Sequence, residues 1–272
     1  MLHRIIRGLA PVFAFAAAVA VSGCDTDFSI GGEKGVPLAE LDTAGKTPTS
    51  LVLAGPDSVT VTEGGALKIE VSGDPEAVAA LRFTLDDDTL GVMRKKGASD
   101  IDGRAQVAVT MPALEKLVLA GSGTVEAARL SGKAEVTIAG SGTVRTPAVE
   151  ATSLEVTIAG SGTYRAAGAA DSLELTVAGS GTADMAGLKV VRADVTIAGS
   201  GTAGFASDGT IDASVMGSGE VTVTGSAKCT IKSMGSGRLN CAAGAATDQA
   251  GSDAPPAAPA SPALPVAPPT PE

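Results

Sequence analysis

The chain has 272 residues, enough for one large domain or two small ones, yet aromatic side chains make up only 2%, with no tryptophan and Tyr164 as the sole tyrosine. A core must therefore be filled by Val, Ile, Leu and Ala, and flat aromatic platforms for stacking sugars or bases are scarce. The formal charge of −10, which becomes −12 without Arg4 and Arg7, argues against nucleic acid and against anionic lipid as partners of the molecule as a whole.

Residues 1–23 read as a signal peptide and stay out of the fold. His3, Arg4 and Arg7 form a basic start, Gly8 to Val21 is an apolar run too short for an ordinary membrane span, and Val21-Ser22-Gly23-Cys24 follows. This resembles a bacterial lipoprotein signal, in which the cysteine becomes the lipidated N-terminus; an ordinary secretory leader or an uncleaved anchor is the alternative. Either way the rest of the chain is expected in the bacterial cell envelope, periplasmic or surface-facing, where disulfides persist. Asp25 resembles the inner-membrane retention signal of some bacteria.

Residues 24–49 carry Gly31-Gly32, Pro37, Gly45 and Pro48 with few apolar groups, as expected of a tether. The strand pattern begins at Leu51, where Leu51-Val52-Leu53-Ala54-Gly55 parallels Leu117-Val118-Leu119-Ala120-Gly121. A second degenerate copy is read at Leu67-Lys68-Ile69-Glu70-Val71-Ser72-Gly73. Between Phe83 and Val109 the period blurs, and Asp86-Asp87-Asp88 reads as the polar turn of a hairpin-like excursion.

From there, Gly-Ser-Gly turns start at Gly121, Gly140, Gly160, Gly179, Gly199, Gly217 and Gly235. A period of 18–20 residues with apolar alternation before each turn predicts an all-β chain: a single parallel, right-handed β-helix, or β-solenoid, of about nine to ten coils over residues 50–244. Positions two and four before the turn point inward: Leu119 and Leu117, Ile138 and Val136, Ile158 and Val156, Val177 and Leu175, Ile197 and Val195, Val215 and Ala213. The intervening positions face water. They stack into a ladder of Thr137, Thr157, Thr176 and Thr196 beside a carboxylate ladder of Glu135, Glu155, Glu174, Asp194 and Asp212.

The turn glycines are structural, because a corner needs positive φ or close backbone layers, and the serine hydroxyl can bond the neighbouring coil. A phosphate-cradling loop is excluded, since no helix and no Lys-Ser/Thr follows. Calcium-binding nonapeptides need an Asp inside the glycine turn, and none of the seven turns has one.

Cys229 lies six residues before Gly235 and Cys241 six after it, both on inward parity. Equivalent pairs in other coils, such as Leu154 with Ala166 or Ala193 with Phe205, set a small residue against a larger one, which places the two sulfurs in reach of a disulfide. Free buried thiols are the alternative. No metal site and no cofactor is expected, because two sulfurs lack partners and the only histidine is His3. Residues 245–272 are Pro/Ala-rich and expected to be disordered, a spacer able to reach on the order of 80 Å as polyproline.

The strand-GSG-strand copies, the degenerate copies at Leu51 and Leu67, and the Val107 to Leu119 lead-in together resemble the head GIN domain of putative auto-transporter adhesins, over roughly residues 36–244. The resemblance implies a lipoprotein or secreted protein of right-handed parallel β-helix type, with fold better defined than biochemical role. No β-barrel translocator is evident after the repeats, so a self-secreting autotransporter is not expected.

Two functions follow. The first is a non-enzymatic, lipid-anchored envelope protein of structural, adhesin-like or macromolecule-binding type, whose long faces meet an envelope protein, a polysaccharide or further copies of itself. Its candidate surface is the acid and threonine ladder, where stacked like charges invite cations or a basic partner; a merely solvated face is the alternative. The second is a polysaccharide-processing enzyme of the β-helix class, which would need converging acid and base groups in a cleft. Uninterrupted coils from 121 to 237 and scarce aromatic residues speak for the first, with no catalytic residue assigned.

Overall fold

The structure, a computed structural model, describes residues 35–98, 100–241 and, for the backbone alone, 247–248. Cys24 and the leader lie outside the described residues, as does the stretch expected to be disordered apart from Thr247–Asp248, which forms a short strand parallel to Thr230–Ile231.

Parallel rungs stack in register from Leu114 to Cys241, so that Leu117, Val136, Val156, Leu175, Val195 and Ala213 form one inward column. The alternation of apolar and polar residues dictates this, since successive side chains in a strand point to opposite faces. All twelve aliphatic residues that precede the turns are buried, and Val125, Val144, Tyr164, Ala183, Ala203 and Val221 continue the core beyond the corner. Tyr164, the largest of them, is wholly buried, and its hydroxyl meets Thr146 Oγ1 at 2.7 Å. Among the described residues, every buried side-chain nitrogen or oxygen has a hydrogen-bond partner.

Each corner rests on two glycines held for different reasons. Gly160 has φ of 115°, and a Cβ there would lie 2.6 Å from the Gly140 carbonyl oxygen of the rung before. Gly162 has no Cβ because one would stand 2.5 Å from Ile138 Cγ2 in the core. The turn serines are exposed, and it is their backbone N–H that reaches the neighbouring rung, as Ser161 N–H donates to the Gly140 carbonyl at 3.0 Å. The expected hydroxyl bridge is thus replaced by a main-chain bond, since the corner turns the serine side chain outward.

The N-terminal end departs from simple winding. Ser50–Ala54 pairs in parallel with Leu114–Gly121 on one side and with Thr89–Arg94 on the other. Ser58–Glu63 is likewise set between Thr124–Ala127 and Ala105–Met111. The first rung in sequence is therefore enclosed by two that come later. The copy expected at Leu67 is not a coil: Lys68–Gly73 runs antiparallel to Ala105–Met111, with Ile69 and Val71 only half-buried. Gly64-Gly65 reverses the chain there, and Asp74 accepts from the Glu76 and Ala77 N–H groups to start the helix Pro75–Ala80 instead.

The excursion around Asp86-Asp87-Asp88 is an antiparallel hairpin of Leu81–Leu85 with Thr89–Arg94, whose second strand also serves as a rung. The solenoid amounts to about 7 turns rather than nine to ten, because the cap uses residues that the period counts as coils. From residue 35 the segment expected as a tether lies against this cap: Val36 exchanges backbone bonds with Phe83, and Lys46 pairs with Asp87.

A buried ion pair locks the cap. Arg94 grips Asp57 through Nε to Oδ2 at 2.8 Å and Nη2 to Oδ1 at 2.7 Å, with the side chains 6% and 1% exposed. Ala105 N–H also donates to Asp57 Oδ1, and Arg94 donates to the carbonyls of Ile101 and Gly103. Asp57 stands where later turns carry their second glycine, and its carboxylate is met there by Arg94 from the strand stacked on that rung.

Candidate functional site

The face that precedes the glycine corners presents three outward columns. Strand register brings Lys116, Glu135, Glu155, Glu174, Asp194 and Asp212 into the first, which continues through Thr230 to Thr247. The second holds Thr137, Thr157, Thr176, Thr196 and Ser214, all half-buried, and closes on Lys232. The third, beside the corner, is Ala120, Ala139, Ala159, Ala178, Ala198, Met216 and Met234. Neighbours in a column are one rung apart, about 4.8 Å.

Electrostatics differ along the acid column. Lys116 Nζ sits 2.9 Å from the Glu135 carboxylate and neutralises the first member. Partial burial holds the Glu155 carboxyl above its ordinary value, and Glu135 on one side and Glu174 on the other add to the effect. The remaining members up to Asp212 are exposed. The result is a straight row of carboxylates on a rigid scaffold, suited to a partner that repeats.

Three features are absent from the sequence reading. A second threonine column, Thr124, Thr143, Thr163, Thr182 and Thr202, runs just past the corner, with Thr202 and Thr182 hydroxyls 3.4 Å apart. The threonine that follows every Gly-Ser-Gly from Gly121 to Gly199 was the available signal. Asp208 clamps three rungs: Lys189 Nζ reaches it at 2.8 Å, and Ser226 donates both N–H and Oγ at 3.0 Å. Lys189 first, then Ser226, pull its carboxyl down to about 2. The Asp57–Arg94 pair is the third, and only its tertiary setting reveals it.

Cys229 and Cys241 are joined in a disulfide across the last corner, with Cα atoms 6.5 Å apart. Among the described residues, no group of three or more His, Cys, Asp or Glu is arranged to hold a metal ion.

A family model described as "Putative auto-transporter adhesin, head GIN domain" matches residues 47–227, more than half of the chain. Solved structures share the fold. A "putative adhesin" from Bacteroides fragilis NCTC 9343 is 20% identical with a TM-score of 0.64, covering 72% of this chain and 93% of that one. A "putative lipid binding protein" from Parabacteroides distasonis ATCC 8503 is 21% identical with a TM-score of 0.55, covering 74% and 98%. A "putative adhesin" from Parabacteroides merdae ATCC 43184 is 18% identical with a TM-score of 0.55, covering 72% and 96%. No curated protein matches the sequence.

Proposed function

Because the chain belongs to the family described as "Putative auto-transporter adhesin, head GIN domain", we propose that it is a non-enzymatic, adhesin-like binding module of the bacterial cell envelope, held at the membrane by a lipid on Cys24. The signal-like start ending in Val21-Ser22-Gly23-Cys24 supports the anchor. The binding surface is the acid column from Glu135 to Asp212 with the threonines beside it, and its partner is an envelope macromolecule that carries repeated basic groups.

One observation carries this reading. Glu135, Glu155 and Glu174 stand in register one rung apart, and partial burial first, then the charges of Glu135 and Glu174, make Glu155 hold its proton more tightly than an isolated carboxyl does. A cationic partner laid along the column relieves that repulsion, so binding and neutralisation are linked. The threonines supply hydroxyl donors and acceptors at the same spacing.

The test is a pull-down from envelope extract with the wild type and with Glu155→Lys/Glu174→Lys/Asp194→Lys. Loss of captured partners with an unchanged circular dichroism spectrum supports the reading, and an unchanged partner set overturns it. Metabolic labelling with a clickable fatty acid, lost in Cys24→Ser, tests the anchor separately.

A further inference from the structure

Near its C-terminal end, where only the short strand Thr247–Asp248 stacks further out, the solenoid has a rung whose charge is opposite to that of the molecule as a whole. From Val221 to Cys241 the sequence holds Lys228, Lys232 and Arg238 and no Asp or Glu, within a chain of −10. Register shows how local the change is, since the rung before has Thr210 under Lys228, Ser214 under Lys232 and Glu220 under Arg238. All three cations are exposed. Glu220, the register neighbour of Arg238, is hydrogen-bonded by Asn240 Nδ2 at 2.6 Å.

An apolar element accompanies the cations. Met234, two residues beyond Lys232 on the same outward side, is 75% exposed, and Met216 beside it in register is 48% exposed. The Cys229–Cys241 disulfide ties together the strands Lys228–Gly235 and Arg238–Cys241 that carry the group.

We propose that this end of the solenoid docks on an anionic lipid surface, with Lys228, Lys232 and Arg238 at the headgroups and Met234 entering the interface. The overall negative charge argues against such a surface for the molecule at large, but the field at the tip is set locally. Asp212, Glu220 and Asp208, the last paired with Lys189, lie one rung back, and Asp248 lies one rung further out. Acids two rungs back or more are on the order of 10 Å away, beyond the Debye length of about 8 Å in physiological salt. Basic and apolar groups side by side are what an interface between water and anionic lipid selects.

The methionine decides between candidate partners. Edge lysines alone serve to discourage strand addition, yet a methionine that is three-quarters exposed works against that purpose. A second copy would offer the acidic opposite end, where residues 35–113 carry twelve acidic and seven basic residues. None of the large, strongly exposed apolar side chains among the described residues is at that end, so Met234 would stay in water. A soluble polyanion leaves it there too. This inference rests on the tip and not on the acid column, so the two readings fail independently.

Vesicle flotation of the full chain with Cys24→Ser, which removes any acyl contribution, provides the test. Binding is expected to vesicles of phosphatidylcholine and phosphatidylglycerol in equal parts and not to phosphatidylcholine alone. Neutralising one cation, as in Lys232→Gln, is expected to lower the partition coefficient about fivefold. Because the chain has no tryptophan, Met234→Trp adds a single reporter whose emission shifts to the blue only with the anionic vesicles. The proposal is overturned by absence of flotation, by binding retained in Lys228→Gln/Lys232→Gln/Arg238→Gln, by equal binding to soluble polygalacturonate without a blue shift, or by self-association in place of vesicle binding.

Discussion

Asp57 and Arg94, 37 residues apart, meet as a two-pronged ion pair in the dry interior of the cap, with both side chains almost wholly out of water. Asp57 belongs to the first rung and Arg94 to the strand stacked on it, so the pair fastens the cap to the solenoid. Removing one partner leaves a buried charge without compensation, at a cost of about 3–5 kcal/mol. Arg94→Met is expected at the upper end, because it also strands the Ile101 and Gly103 carbonyls, and Asp57→Ala lower in that window. Urea unfolding of the two variants checks both the size and the order.

Tyr164 and Thr146 form the buried hydroxyl pair of the regular coils. Tyr164→Phe leaves the Thr146 hydroxyl unpaired in the core, and a loss of about 1–3 kcal/mol is expected. Replacing both, as in Tyr164→Phe/Thr146→Val, recovers most of it, which a double-mutant cycle measures.

The two glycines of one corner should respond differently. Gly160→Ala imposes an unfavourable φ and a backbone clash with no route of relief, while Gly162→Ala keeps an ordinary φ and meets chiefly the Cγ2 methyl of Ile138, with the Gly142 carbonyl oxygen at 3.2 Å. Overpacking of the second kind costs about 1–3 kcal/mol. Ile138→Ala, which removes the clashing Cγ2, is expected to cost less in the Gly162→Ala background than in the wild type, whereas it should show no such coupling to Gly160→Ala; thermal melts of the single and double variants separate the cases.

Loss of the disulfide should be felt at one end only. Each rung of a solenoid contacts its neighbours alone, so Cys229→Ser/Cys241→Ser is expected to raise amide exchange in Lys228–Cys241 and leave Thr143–Gly199 protected. Exchange spreading through the central coils would contradict this.

Two carboxyls predict opposite pH dependences. The folded Glu155 has a raised pKa, so the native chain holds its proton more tightly and stability falls as pH rises from 4.5 through the shifted value. Glu155→Gln should remove that slope and add a few tenths of a kcal/mol at neutral pH, a figure kept small by solvent screening. Asp208, drawn down to about 2, contributes stability that is complete above 3.8 and lost as pH falls through 2. Carboxyl NMR titration of both residues, with melts across the same range, gives the signs directly.

The regular coils were legible because their information is local and repeated. Val156, Ile158 and Gly160 announce inward, inward and corner within five residues, and the next copy repeats the message. The Cys229–Cys241 link was readable from the same parity. The cap was not, because antiparallel pairing of Ile69 and Val71 looks like another rung when only alternation is consulted. What distinguishes it is Gly64-Gly65 reversing the chain and Asp74 opening a helix. Asp57 illustrates the deeper limit: its register to the turn glycines was visible, but the partner that makes a buried carboxylate tolerable comes from a strand folded back from later in the chain. The second threonine column is as local as the coils, since Thr124, Thr143, Thr163, Thr182 and Thr202 each follow a Gly-Ser-Gly directly.

Since Ser50–Glu63 is flanked by stretches that are made after it, this rung cannot complete its pairing as it leaves the ribosome. Leu51 has to wait for Leu90 and Leu117, whereas Val156 finds Val136 about twenty residues away. Short loops close with less entropy loss and faster. Nucleation therefore belongs to the later coils, and the stack zips backwards, toward the end that was synthesised first.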